Sequence, residues 1–454
     1  MRPGAPLPWR SVLGYGLGDM ANNFSFALGL LFLLHYYTDV AGIPAAAAGA
    51  LLMLVRIYDA FADLVAGRII DGHRGHPRLG RLRPWLLAGA LPLLLLNVAV
   101  FSVPAGWSPA GKLVYAGVSY ALLGTAYAFV SIAYGSLAGA MTQAPADRAR
   151  LGAARSWMSG LTFALLAFVV APGLRGLQGE ALQTHLSLLT LGLAGVGMAL
   201  YACCVLSTRE VVPRRATTLR RRECLRVLRH NLPLQRLCLA AFAALVASGC
   251  GSASGIFFAR YVLGDAGLFP VMVMSSSLAG IGLAVPLAPL LAARLGKAGA
   301  FRLGMLVAAL GHAAIWWVPA AQIGLVIGCL VVGALGSTLG MALLWALEAD
   351  TVEYGEWRSG LRLEGTHYAV FLLTRKCGLA LGGALPAFLF AASGYVPNLA
   401  LQGEAALQAI RLGMIWLPAA GFAAAGLLML RYPLPESRFL ALLADLQARR
   451  SAPA

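Results

Sequence analysis

Asp59 and Asp63 stand four residues apart in an otherwise apolar stretch, which puts both carboxylates on one helix face about a turn from each other. Two anions that close repel. In a medium of low dielectric constant both stay ionised only if something positive joins them: a proton, Na⁺, or a neighbouring Arg or Lys. Cation coupling needs such a pair, because a helix whose charge is cancelled by a visiting cation is free to move. Arg56 and Arg155 lie in comparable apolar stretches. If either pairs permanently with the carboxylates, the group is a structural salt bridge and carries no ion.

An ionisable side chain at the centre of a membrane helix costs about 2.5–3.5 kcal/mol on insertion scales, so each asks for a reason. Asp19 lies in Gly14-Tyr15-Gly16-Leu17-Gly18-Asp19-Met20-Ala21-Asn22-Asn23. A carboxylate accepts two hydroxyl hydrogen bonds side by side, which suits vicinal sugar hydroxyls, and small residues leave room for a ligand. Asn22, Asn23, Tyr127 and Tyr134 add the polar groups and aromatic surfaces that sugars use, against the plainer alternative of a polar contact between helices. Lys376 either donates to substrate oxygens or balances an Asp. His35, His312 and His367 are isolated in or near apolar runs and are assigned to packing, outside the site.

These side chains are positioned by membrane helices. Of the 454 residues, 59% are hydrophobic and 12% charged, with a mean hydropathy of +0.77, against about 45–50% and 25% in a soluble domain. A span needs roughly 20 apolar residues. Spans are expected near 11–38, 45–70, 84–103, 111–141, 153–172 and 185–207, then 234–262, 269–293, 300–319, 322–351, 365–392 and 408–431. The expected fold is therefore all-α and integral to the membrane: twelve helices in two pseudo-symmetric bundles of six. The N-terminal bundle covers 1–208, a basic cytoplasmic linker 209–233, the C-terminal bundle 234–432 and a cytoplasmic tail 433–454.

The net charge of +17 sits in short loops rather than on one face of a domain, which argues against nucleic acid. Arg68, Arg74, Arg78, Arg81 and Arg83, then Arg148 and Arg150, then Arg294, Lys297 and Arg302, and the Arg-rich linker all fall on the side of the termini. Basic loops resist translocation, so both termini are expected in the cytoplasm of a bacterial inner membrane. Arg2 and Arg10 precede an apolar run holding Asp19 and no small-residue cleavage site, so a retained first helix is expected rather than a signal peptide. Five of the seven cysteines lie inside apolar runs without metal-ligand spacing and are assigned to packing. Arg78-Leu79-Gly80-Arg81 after the second span is echoed by Arg294-Leu295-Gly296-Lys297 after the eighth. Asp71 with Arg74, Arg78 and Arg81, and Glu348, Asp350, Glu353 and Glu356 facing nearby Arg residues, are candidate gating networks at the cytoplasmic helix ends.

The segments Gly18-Asp19, Arg56-Ile57-Tyr58-Asp59-Ala60-Phe61-Ala62-Asp63, Gly80-Arg81-Leu82-Arg83-Pro84-Trp85 and Ala349-Asp350-Thr351-Val352-Glu353-Tyr354-Gly355-Glu356 carry a family pattern. On these the chain resembles the glycoside-pentoside-hexuronide:cation symporters of the major facilitator superfamily. The resemblance implies that Asp19 contacts sugar, that Asp59 and Asp63 hold the coupling cation, and that Arg155 and Lys376 line or link the two sites. Melibiose-carrying members have an Asn where this chain has Ala62 and a Thr where it has Ala128. Both differences remove oxygen ligands and favour H⁺ over Na⁺. Ser131 stands in place of a second sugar-binding Asp and Gly135 in place of a Trp; Ser131-Ile132-Ala133-Tyr134-Gly135 is similar to pentoside and glucuronide carriers. The expected function is cation-coupled symport of a pentoside, hexuronide or oligosaccharide by a monomer without cofactor or structural metal. The alternatives are transport of a lysolipid or drug-like amphiphile and, from another class, a membrane enzyme acting on lipid-linked substrates, which the short, chemically poor outer loops argue against.

Overall fold

Inside a bilayer every backbone N–H and C=O must find its partner within the protein, so an apolar chain of this length folds as helices. The computed structural model describes residues 7–72, 76, 79–142, 145–177, 179–211, 229–360, 364–399 and 401–451. Twelve helices in it are long and apolar enough to cross a membrane. They are α1 Trp9–Val40, α2 Ala45–Gly72, α3 Arg83–Val100, α4 Pro109–Met141, α5 Pro145–Gly176, α6 Gly179–Ser207, α7 Leu232–Val262, α8 Leu268–Leu295, α9 Lys297–Trp317, α10 Ile323–Ser359, α11 Glu364–Ala392 and α12 Glu404–Leu428. A shorter amphipathic helix, α13 Glu436–Ser451, follows.

The twelve spans expected from hydropathy fall on these twelve helices. The chief differences are at α5, which runs from Pro145 to Gly176 against an expected 153–172, and at α10, which continues to Ser359. Hydropathy fades where charges gather, among Asp147, Arg148 and Arg150 of α5 and from Glu348 to Glu356 in α10, whereas a helix whose backbone is already paired continues past the hydrocarbon into charged sequence.

Residue contacts divide the chain into two compact units: Met1–Arg215 with Ser252–Leu278 and Gly383–Ile410, and Ala216–Gly251 with Ala279–Gly382 and Arg411–Ala454. In the first, α1 packs on α5 and α6, α2 on α4, and α3 on α4 and α6. In the second, α9 packs on α8, α10 and α12. Burial from water does not draw helices together in lipid, so close backbone approach at small residues takes its place. The seam of α9 and α10 is built this way: a Cβ on Gly336 would lie 2.4 Å from the backbone of Ala308 and of Gly304. Gly336→Leu should therefore force the two helices apart, at about 1–3 kcal/mol or more, and lower the unfolding temperature in detergent. Gly324→Ala, which meets nothing within 4 Å, is the matched control and should leave it nearly unchanged.

Helix α13 lays Phe439, Leu442 and Leu446 into the second unit's core. Its position is fixed by the Trp357 indole N–H, which donates to Asp445 Oδ2 at 2.6 Å.

Candidate substrate and cation site

The polar centre of the first unit forms where α1 meets α5. Arg155 Nε donates to Asp19 Oδ1 at 2.8 Å. Asn23, one turn beyond Asp19 on α1, donates through Nδ2 to Asp19 Oδ2 at 2.8 Å and to its carbonyl at 2.9 Å. The Asp19 side chain is 4% exposed and that of Arg155 47%. The acid is thus held in place while the guanidinium reaches open space. Arg155 thus has Asp19 as an ion-pair partner.

Tyr134 and Asn22 use their polar atoms to tie helices together. Tyr134 stacks on Tyr15 with ring centroids 4.6 Å apart and donates to the Tyr15 carbonyl at 2.7 Å. Its ring also lies 5.6 Å from the Arg155 guanidinium. Tyr201 donates to Asn22 Oδ1 at 2.7 Å, joining α6 to α1. Ser131 is half-buried on α4, its hydroxyl 3.4 Å from the Ala128 carbonyl. Lys376 is half-buried on α11, in the other unit. Tyr127 is the residue that joins the parts: stacked on Phe26, it lies within electrostatic reach of Asp19, Arg155, Arg56 and Asp63.

Along α2, Asp59, Ala62, Asp63 and Ala66 follow the helical repeat toward α4, while Phe61, Val65 and Ile69 on the other face are exposed, as lipid-facing residues are. Asp59 is buried against Gly124 of α4, where a Cβ would lie 1.8 Å from Asp59 Oδ1. A side chain at Gly124 would make the carboxylate shift. Ala62, Ala66 and Ala128 form a small apolar cluster on the same face. Arg56 lies over the rings of Phe26 at 5.6 Å and Tyr120 at 6.0 Å, within electrostatic reach of Asp59. Asp19, Arg155, Arg56 and Asp63 thus lie within electrostatic reach of Tyr127, and Arg56 within reach of Asp59, all inside the first unit.

Of the expected charge networks, Arg74, Arg78 and the Asp71 side chain lie outside the described residues. Arg81 enters a different arrangement. The backbone N–H groups of Arg81, Leu82 and Arg83, at the start of α3, donate to the Glu210 carboxylate at 3.0, 2.8 and 3.2 Å. An acid over the first N–H groups of a helix satisfies donors that have no partner within it. Gly80, at φ +79°, brings the chain close to Glu210. Asp350 was expected to face an Arg and instead meets Lys297, whose Nζ donates to both carboxylate oxygens at 2.7 Å. The same ammonium lies 3.9 Å from Glu436 and 4.5 Å from the Phe439 ring centroid, so it also anchors α13. Glu353 is half-buried one turn further along α10.

His312 directs Nδ1 to the Ala308 carbonyl at 2.9 Å and packs against Phe422. His367 lies 2.8 Å from Asn231 Nδ2. His35 stands 3.4 Å from Asp39, a residue the sequence reading did not single out.

Twelve apolar spans with a partly buried ion pair and glycine seams are the architecture of an integral membrane protein. The solved structure of a bacterial homologue of the human lysosomal transporter Spinster shares this fold, with a TM-score of 0.67, covering 96% of this chain and 99% of that one at 15% identity. The chain belongs to the MFS/sugar transport protein family, whose profile matches residues 14–436. It is 44% identical over 444 residues to the glucuronide carrier protein homolog of Escherichia coli (strain K12), covering 98% of this chain and 96% of that protein. It is 30% identical over 458 residues to the isoprimeverose transporter of Lactiplantibacillus pentosus, covering 98% and 93%.

Proposed function

We propose that the protein imports a sugar or glycoside, with hexuronides as the favoured class, in symport with a proton. Transport proceeds by alternating access of two six-helix halves in the bacterial inner membrane, with the protein acting as a monomer. The observation that carries this reading is the Asp19–Arg155 pair, a buried acceptor beside a half-exposed guanidinium. A hexuronide matches it, because its hydroxyls donate to Asp19 and its carboxylate accepts from a planar Arg. The similarity to a glucuronide carrier homologue supports the same class.

Coupling resides at Asp59 and Asp63, with Tyr127 within electrostatic reach of Asp63 and of the Asp19–Arg155 pair. A proton is favoured over Na⁺ because a hard cation needs several oxygen ligands, and Ala62 and Ala128 offer methyl groups on that face. The basic loops support cytoplasmic termini, with the opposite end, where α1 closes at Val40, toward the outside.

The test is uptake of 4-nitrophenyl β-glucuronide into proteoliposomes under an inward proton gradient. Accumulation that 4-nitrophenyl glucoside competes with only weakly is the expected result. Uptake of a lysolipid that sugars fail to compete with, and no uptake of the glucuronide, would overturn the sugar reading; accumulation driven by Na⁺ alone would overturn the choice of ion.

A further inference from the structure

Asp39 is a buried acid that the mechanism above does not use. It sits in the last turn of α1, and its side chain is 1% exposed. Tyr261 and Tyr395 both direct their hydroxyls to Asp39 Oδ1, at 2.8 and 2.7 Å. The Asn398 backbone N–H reaches the same oxygen at 3.4 Å, and the Asn398 side-chain amide donates to the Asp39 carbonyl. Thr38 Oγ1 lies 2.6 Å from Oδ2, and His35 Nδ1 3.4 Å from it. Arg260 lies 3.7 Å from Oδ1 and donates to Asn398 Oδ1 at 3.0 Å. One carboxylate thus collects groups from the end of α1, the end of α7 and the loop after α11, up to 359 residues away in sequence.

The backbone marks the same place. Both α1 and α7 close in a five-residue π-helical turn, Tyr36–Val40 and Phe258–Val262, and these turns carry Asp39, Arg260 and Tyr261. Two more such turns lie within α8 and α12, at Gly280–Ala284 and Leu412–Trp416; π-helical turns are frequent at functional sites. Tyr395 lies in the loop beyond the α11 span, where burial and the adjacent Asp39 push its hydroxyl far above the usual tyrosine range, so it stays a donor. Beside the hub is a cavity of about 210 Å³ lined by His35, Asp39, Arg260, Asp265 and Asn398 together with Leu177 and Leu182. The helix ends therefore have space next to them into which to separate.

We infer that Asp39 is the latch of the outer end: its carboxylate holds the ends of α1, α7 and α11 together while that end is closed, and transport requires these bonds to break and re-form in each cycle. An uncompensated buried carboxylate is costly, so the hub favours two arrangements: fully joined, or opened to water. The inference rests on the alternating-access part of the proposed function and is independent of the substrate.

The test uses spin labels at Ala105→Cys and Ala392→Cys, both exposed positions, in a full-length background lacking the native cysteines. Asp39→Ala should raise the ratio of long- to short-distance populations roughly tenfold or more. Tyr395→Phe, which keeps the ring against Phe257 and Phe390, should move it in the same direction by less, and serves if the alanine variant fails to fold. Distance distributions unchanged in a folded Asp39→Ala protein, or in Tyr395→Phe if that is the only folded variant, overturn the latch. A shift in distances without glucuronide uptake by the parent protein leaves the latch standing and removes the substrate assignment instead.

Discussion

The Asp59→Asn protein should exchange substrate across a membrane and fail to concentrate it. Asparagine keeps the shape that fits against Gly124 but binds no proton at physiological pH, so position 59 is neutral whether or not a cation is present. A carrier in that condition still carries sugar down its gradient. It has lost the link between sugar and proton, and with it the driving force: a charge crossing 100 mV is worth about 2.3 kcal/mol, or roughly fiftyfold in concentration ratio. Counterflow and accumulation, measured on the same preparation, separate the two activities. Asp63→Asn should act in the same direction, since the two carboxylates share one face of α2.

A second large effect is expected at Asp19. Its carboxylate accepts from Arg155 and Asn23 at 2.8 Å each. Hydrogen bonds to a charged group are worth about 1.5–3 kcal/mol, so Asp19→Asn should weaken substrate affinity about tenfold to a hundredfold while the protein still folds. Arg155→Gln divides the contributions further. Because the guanidinium is half-exposed, solvent screens its ion pair and moderates the structural cost, whereas a hexuronide loses its carboxylate partner. Titration calorimetry should find the glucuronide weakened far more than the matching neutral glucoside. Equal loss for both would assign Arg155 to positioning Asp19 rather than to reading the substrate.

What could be read from the sequence was what repeats locally. Apolar runs of membrane length gave the helices, because bilayer thickness imposes one length on all of them. The four-residue spacing of Asp59 and Asp63 gave their shared face, and the same spacing brings Asn23 onto Asp19. Partners distant in sequence were not legible. Arg155 pairs with Asp19 across 136 residues, and spacing alone left it as a possible partner of Asp59 and Asp63. Lys297, rather than an arginine, takes Asp350 across 53 residues. Glu210 was not singled out in the sequence, and only the fold brings it over the N-terminus of α3. Asp39, at a helix end where a charge is cheap, gave no sign of its burial, because its partners Tyr261 and Tyr395 arrive from 222 and 356 residues away.

The account depends most on the coupling carboxylates, and proton movement tests them directly. Proteoliposomes held at zero membrane potential, with a pH-sensitive dye inside and no pH gradient imposed, report protons entering with substrate. Addition of the glucuronide outside should acidify the interior for the parent protein and leave it unchanged for Asp59→Asn, although the sugar enters in both. Acidification of equal size in the two proteins would contradict the account.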